Sequence, residues 1–148
     1  MSIKNELNES MKDAMKSGDE VRKRTVRMVL AAVKQSEVDK RTELDDTAVM
    51  NLIQKEMKNR REAVEEAKKA NRADLVQANQ AEIDVLQAFL PKAMPAEELR
   101  SLVEAAIAET GASSPADMGR VMKAVMPKVA GRAPNDQVSA AVRELLQK

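Results

Sequence analysis

Four cationic side chains lie close together between Met118 and Pro134, in a segment that contains no acidic residue. They are Arg120, Lys123, Lys128 and Arg132. The whole chain of 148 residues has a formal net charge of only +1, so this local excess is an asymmetry. Such a cluster suits an anionic ligand, and the sugar-phosphate backbone of RNA is the first candidate.

Two of the four glycines of the chain lie in the same segment. A glycine inside a helix costs about 1 kcal/mol relative to alanine, so we expect a compensating close contact at Gly119. That contact is either with an RNA backbone or with a neighbouring helix. The segment belongs to the C-terminal third of the chain, which can form only a small group of tightly packed helices, and this favours the neighbouring helix. Gly131 is expected to end a helix. The predicted RNA-binding residues are Gly119, Arg120, Lys123, Lys128, Gly131 and Arg132.

A secondary basic patch lies nearer the N-terminus, where no acid occurs between Val21 and Ser36. A run of this kind is usually a solvated helix face, and we favour that interpretation over a contact with phosphate. The patch comprises Arg22, Lys23, Arg24, Arg27 and Lys34.

The residue types that are missing exclude several kinds of chemistry. The chain has no cysteine and no histidine, which removes disulfides, thiol nucleophiles, imidazole bases and Cys/His zinc sites. Phe89 is the one aromatic residue, so the platforms on which many RNA-binding folds stack bases are also absent. We therefore expect no catalytic residues, no metal and no cofactor, and RNA recognition through shape and backbone.

The elements that must position these residues are predicted to be helices. Leu, Val, Ile, Met and Ala recur at helical spacing, which indicates an all-α fold. Pro91 and Pro95 cannot lie inside one straight helix, so they mark a boundary. We predict a four-helix N-terminal lobe over residues 1–92 and a smaller three-helix C-terminal lobe over residues 93–148.

Within the C-terminal lobe, Met118, Met122 and Met126 are predicted to form a core stripe, and Pro127 is predicted to end or kink their helix. No stretch approaches the roughly 20 apolar residues that span a bilayer. The N-terminus becomes polar at once, unlike a signal peptide. The sequence therefore predicts a cytoplasmic protein without a membrane partner.

The order and spacing of several motifs resemble the GatB/YqeY family over nearly the whole chain. This family comprises stand-alone YqeY proteins and the helical tail of the glutamine-dependent tRNA amidotransferase. Each motif alone is weak evidence for the family, but the order and spacing of all of them together are specific for it. The motifs are Arg24–Met28, Gln54–Lys58, Arg60–Glu62, Glu82–Lys92, Glu109–Ala112, Asp117–Met122 and Lys128–Ala133.

The resemblance implies an all-α protein whose tail-like lobe touches tRNA. It also implies a partner such as an aminoacyl-tRNA synthetase or an amidotransferase. Carbon–nitrogen ligase activity with glutamine as amide donor is associated with the family, and we attribute it to inheritance from the amidotransferase. We thus expect a tRNA-binding accessory protein without catalytic activity of its own.

This chain departs from the family pattern at two places. Lys123 stands where stand-alone members commonly have a second glycine, which favours contact with phosphate. The turn Ala133-Pro134-Asn135 matches the tail only loosely. Two alternatives stay open: a protein-binding helical adaptor without RNA contact, and an enzyme that acts through Asp, Glu, Lys, Ser or Thr alone.

Overall fold

A computed structural model of the chain describes residues 2–147. Over this range the chain is all-α, as predicted, with seven α-helices, one short 3₁₀ helix and no strand. It divides into two compact units, one ending at Leu90 and the other beginning at Pro91. The assignment of separate domains to residues 1–92 and 93–148 stays a prediction.

The first unit contains four helices, and α1 packs mainly on α2 while α3 packs mainly on α4. Local signals set their ends: the side chains of Ser2, Asp19 and Asp45 each accept a backbone N–H in the first turn of a helix. Gly18 and Asn71 take the left-handed conformation that follows a helix. The helices are α1 (Ile3–Ser17), α2 (Glu20–Lys40), α3 (Asp46–Lys69) and α4 (Ala73–Gln87).

The core of this unit is aliphatic, with Phe89 packed at its margin. Arg60 is a buried cation within the unit, and its guanidinium donates to carboxylates of Glu56 and Glu82 at 2.7 and 2.9 Å. Removing one partner of such a pair would leave a buried charge without compensation. The fully buried apolar side chains are Leu7, Val26, Val29, Val49, Ile53 and Leu86.

The second unit contains α5 (Ala96–Thr110), the 3₁₀ helix Pro115–Asp117, α6 (Met118–Val129) and α7 (Asn135–Leu146). Its core stripe on α6 is Val121, Val125 and Val129, all fully buried. The predicted methionine stripe is thus displaced by about one position around the helix: Met118, Met122 and Met126 are partly buried and pack against the valine stripe.

The end of α6 also differs from the prediction. Pro127 lies inside the last turn, and the helix continues beyond it to Val129. The proline removes its own helical hydrogen bond, but the Ala130 backbone N–H still donates to the Met126 carbonyl at 3.1 Å. Ala130 is the first residue in the left-handed conformation, with φ of 49°, and Gly131 follows with φ of 80°. The left-handed residue that ends the helix is therefore Ala130, one residue before the predicted Gly131.

Glu37 connects three segments of the first unit. Its carboxylate accepts a hydrogen bond from the Lys4 ammonium at 2.7 Å and from the Leu44 backbone N–H at 2.8 Å. These two hydrogen bonds, with that of Lys4 the stronger cause, lower the pKa of Glu37. A carboxylate whose pKa is lowered by folding stabilises the fold above its unfolded pKa, and this contribution is lost as the pH falls through the folded value.

We predict that Glu37→Gln lowers Tm at pH 7, and that the difference from wild type begins to shrink as the pH falls below about 4.3, the ordinary pKa of Glu. The difference should be lost as the pH falls through the lower pKa of Glu37 in the folded chain. Thermal unfolding followed by circular dichroism from pH 7 to pH 3 measures this. Glu62→Gln, at an exposed position of α3, is the control and should change Tm little at any pH. A difference in Tm that persists unchanged at pH 3 would contradict the role of the charge.

Candidate nucleic-acid interface

The first turn of α6 is fixed by the Asp117 carboxylate. It accepts the backbone N–H of Ser113 at 3.0 Å and a guanidinium N–H of Arg120 at 2.7 Å. The hydrogen bond from Ser113, followed by that from Arg120, lowers the pKa of Asp117. Asp117 is therefore ionised at neutral pH, and it places a negative charge beside the start of the helix.

The outer face of α6 carries Gly119, Arg120 and Lys123, which are all exposed. At 100° per residue these positions lie opposite the valine stripe that faces the core. Lys123 forms no ion pair among residues 2–147. The structure thus brings three of the six predicted residues onto one solvent-facing surface.

Lys128 and Arg132 are directed towards α5 instead. The Lys128 ammonium lies 3.3 Å from the Glu109 carboxylate. The Arg132 guanidinium binds both carboxylate oxygens of Glu98, at 2.7 and 3.0 Å, and also donates to the Lys92 carbonyl at 3.0 Å. Glu98 and Glu109 are eleven residues apart on α5, about 16 Å along its axis, so these two cations lie at different ends of that helix.

The acid-free cluster expected from the sequence is therefore not formed. The segment from Met118 to Pro134 contains no acid, but folding places the Glu98 and Glu109 carboxylates of α5 against its cations. Residues 91–148 together contain eight basic and seven acidic residues, so the unit is nearly neutral. The RNA-binding role of the six residues stays a prediction.

Gly119 is not explained by helix packing, contrary to the interpretation that the sequence favoured. A Cβ atom built on this residue would meet nothing within 4 Å outside its own stretch of helix. Gly131 adopts a positive φ, a backbone conformation in which a side chain would be strained. The local backbone therefore explains why this residue is glycine. Only Gly119 therefore lacks a structural explanation within the described residues.

The secondary basic patch is also largely paired. Arg22 lies 3.6 Å from Asp19, Lys23 lies 3.9 Å from Glu20, and Arg24 lies 3.2 Å from Glu82. The remaining two members, Arg27 and Lys34, are exposed and form no ion pair among residues 2–147. These intramolecular pairs agree with the solvated-face interpretation for most of the patch.

A groove of the second unit lies between α5 and α7. It has a volume of about 580 Å³ and an apolar lining that includes Met94, Leu99 and Leu145. Its polar groups are Glu97, Arg100, Gln137 and Glu144, and no Ser, Thr or Lys is among its described lining residues. Residues 2–147 contain no cluster of three acidic side chains suited to a metal ion.

The pairing of Arg132 predicts a structural role for this residue. Arg132→Ala should reduce the free energy of unfolding by about 1 kcal/mol, because it removes a bidentate ion pair and a bond to a carbonyl. Arg132→Lys should reduce the free energy of unfolding by a smaller amount, because an ammonium cannot bind both carboxylate oxygens as the planar guanidinium does. Urea unfolding measures both values. Lys128→Ala, which breaks one exposed pair, is the control and should stay within about 0.5 kcal/mol; equal losses at the two positions would contradict this role.

Several known proteins named "Altered inheritance of mitochondria protein 41, mitochondrial" are similar to this chain. The protein of Pyrenophora tritici-repentis is 32% identical over 145 residues, which covers 95% of this chain and 78% of the relative. Those of Lachancea thermotolerans and Eremothecium gossypii are 35% and 36% identical, over 57% and 70% of this chain. The matches span 46% and 58% of those two relatives, so the chain covers about half of their length.

These names bear on the predicted location. The relatives are named as mitochondrial proteins, and this finding contradicts the cytoplasmic location predicted from the composition and the N-terminus. Among residues 2–147, no helix is both long and apolar enough to cross a membrane.

The family resemblance inferred from the motifs is confirmed. A family model described as "Yqey-like protein" matches residues 4–146, which is nearly the whole chain. The match includes the stretches around Arg24, Gly119 and Arg132 that carried the resemblance. The chain therefore belongs to the Yqey-like protein family.

Proposed function

We propose that this chain is a tRNA-binding accessory protein. In this proposal it holds the sugar-phosphate backbone of tRNA on the outer face of α6, and a separate aminoacylation or amidation enzyme makes the bonds. Membership of the Yqey-like family supports this proposal, because the resemblance to the amidotransferase tail implies contact with tRNA. The observation that carries it is the open surface around Gly119.

Gly119 is the second residue of α6, and its lack of a side chain has no structural benefit in the described residues. Alanine at an exposed helical position would stabilise the helix by about 0.5–1 kcal/mol. A ligand that must approach the helix backbone closely would explain why glycine occupies this position although alanine would make the helix more stable. A phosphate group lying against the first turn of α6 is such a ligand.

Lys123 lies four residues beyond Gly119, one turn further along the same face. Its ammonium is exposed and forms no ion pair among the described residues, so it is available to a phosphate. Arg120 is 59% exposed, but it is paired with Asp117, which is 23% exposed, and it also donates to the Thr110 carbonyl at 3.3 Å. Arg120 therefore neutralises the Asp117 carboxylate on this face, and Lys123 is the first cation that a phosphate would meet.

The near neutrality of the unit limits how RNA can be bound. With Lys128 and Arg132 held by carboxylates, only one or two phosphates meet a cation on this face. The slope of log K against log salt concentration should then lie between about −1 and −2. Binding that weak and that insensitive to sequence suits a module that assists another enzyme.

We predict that Lys123→Ala weakens the binding of total tRNA and makes the salt slope less steep by about 1, because one phosphate contact is lost. Fluorescence anisotropy with labelled tRNA, over a salt range of about 50 to 200 mM, measures both. Arg143→Ala is the matched control: it removes the same charge from an exposed site on α7 and should leave the slope unchanged. Equal effects of the two substitutions would contradict a specific site on α6.

Gly119→Ala tests the backbone approach separately. It should raise Tm, because alanine favours the helix, and it should weaken tRNA binding, because the methyl group occupies the space of the phosphate. A more stable variant that binds tRNA as well as wild type would show that the open surface around Gly119 is not the binding site.

A further inference from the structure

A stripe of seven residues runs along the outer face of α2, and it has no explanation in the proposed tRNA function. At 100° per residue these positions fall within an arc of about 120°, opposite the buried residues Val26, Val29 and Val33. They extend over about 21 Å of helix. The α2 stripe consists of Arg24, Arg27, Met28, Ala31, Lys34, Gln35 and Val38.

Three side chains of the α2 stripe are apolar and open to solvent, and Arg24 and Gln35 lie among them. Met28 is 48% exposed and Val38 is 63% exposed, and Ala31 between them is exposed as well. Large apolar side chains exposed to this degree are few in the described chain, and the other two, Met15 and Leu75, lie on α1 and α4. The stripe therefore concentrates apolar surface on one helix face.

One edge of the α2 stripe is cationic. Arg27 and Lys34 are seven residues apart, which places them two turns apart on the same edge. Both are exposed and neither forms an ion pair among residues 2–147. Arg24, nearer the centre, is already bound to Glu82 of α4. Glu20 lies in the same arc one turn before Arg24, but it is paired with Lys23 at 3.9 Å. The cations without an ion pair, Arg27 and Lys34, therefore give the stripe its unbalanced positive charge.

We propose that the α2 stripe docks an acidic amphipathic helix of a partner protein. Three exposed apolar side chains beside two cations that form no ion pair are complementary to a helix with an apolar stripe and carboxylates along one edge. The Met28 sulfur accepts a hydrogen bond from the buried Arg60 guanidinium at 3.6 Å, so this side chain is anchored at its sulfur while about half of it stays open to a partner. The carboxylates of the partner would be seven residues apart, to face Arg27 and Lys34.

Charge and polarity together favour this occupant over RNA. A sugar-phosphate backbone would neutralise Arg27 and Lys34, but it would leave Met28, Ala31 and Val38 without an apolar partner. No aromatic side chain lies on the stripe to stack a base. A helix with apolar residues would remove the same three side chains from water, at about 25 cal/mol per Å² of apolar surface buried. Protein docking on α2 does not depend on RNA binding at α6.

The test uses the full chain and a fluorescent, covalently stapled helical peptide of about 18 residues, long enough to span the stripe. The peptide has leucines on one face and glutamates seven residues apart on one edge, and a control peptide has lysines in place of the glutamates. We expect the acidic peptide to bind at least about tenfold more tightly than the lysine peptide. Equal affinities, or no binding of the acidic peptide, would overturn the proposal.

Paired variants locate the binding. The double variant Ala31→Glu with Val38→Glu should lower the affinity for the acidic peptide by about tenfold or more. It places carboxylates among the exposed apolar side chains of the stripe, where they repel the glutamates of the peptide. Met15→Glu with Leu75→Glu changes equally exposed apolar positions away from α2 and should alter affinity less than about twofold. Equal losses in the two pairs would overturn the proposal.

Two further experiments remove the cations of the stripe and compete the bound peptide with RNA. Arg27→Gln with Lys34→Gln should remove the preference for the acidic peptide over the lysine peptide, since it removes the cationic edge. Displacement of the bound peptide by a twelve-nucleotide oligouridine would assign the stripe to RNA and overturn the proposal. Failure of tRNA binding at Lys123 would leave all of these peptide measurements unaffected, so the two proposals fail separately.

Discussion

Burial of aliphatic side chains between helices is the interaction on which both units depend. With a single aromatic residue and no cysteine, the chain has neither large ring contacts nor disulfides to hold its helices together. Its cores consist mainly of valine, leucine and isoleucine at helical spacing. Each helix therefore gives one whole side to the core and leaves the other side to solvent. The candidate binding surfaces are such outer sides, on α6 and on α2, rather than enclosed pockets.

The charges on those outer sides are controlled by pairs that form between helices. On α5, Glu98 and Glu109 bind Arg132 and Lys128, and on α4, Glu82 binds Arg24. On the outer face of α6, Lys123 is the cation that forms no ion pair among the described residues. An interface built on one or two cations and an open glycine binds RNA weakly and without reading its bases. That behaviour fits an assisting role beside an enzyme that supplies the specificity.

The fold class could be predicted from the sequence, because apolar residues recur at helical spacing along the chain. Helix ends also depend on local signals, such as the Asp19 cap and the left-handed residues Gly18 and Asn71. The electrostatics of the site could not be predicted in the same way. The partners of Lys128 and Arg132 are 19 and 34 residues away along the chain, so a charge count within one segment misses them. The open space around Gly119 likewise depends on where other helices lie. The phase of α6, with valine instead of methionine innermost, required the packed structure.

The central claim is that the N-terminal half of α6 meets the backbone of tRNA. Amide chemical shifts of the isotopically labelled full chain, recorded during titration with total tRNA, test it most directly. The account predicts that the largest changes fall at residues 118–124, centred on Gly119 and Lys123, while amides of α7 change little. Changes confined to α2 or α7, or none at saturating tRNA, would contradict it.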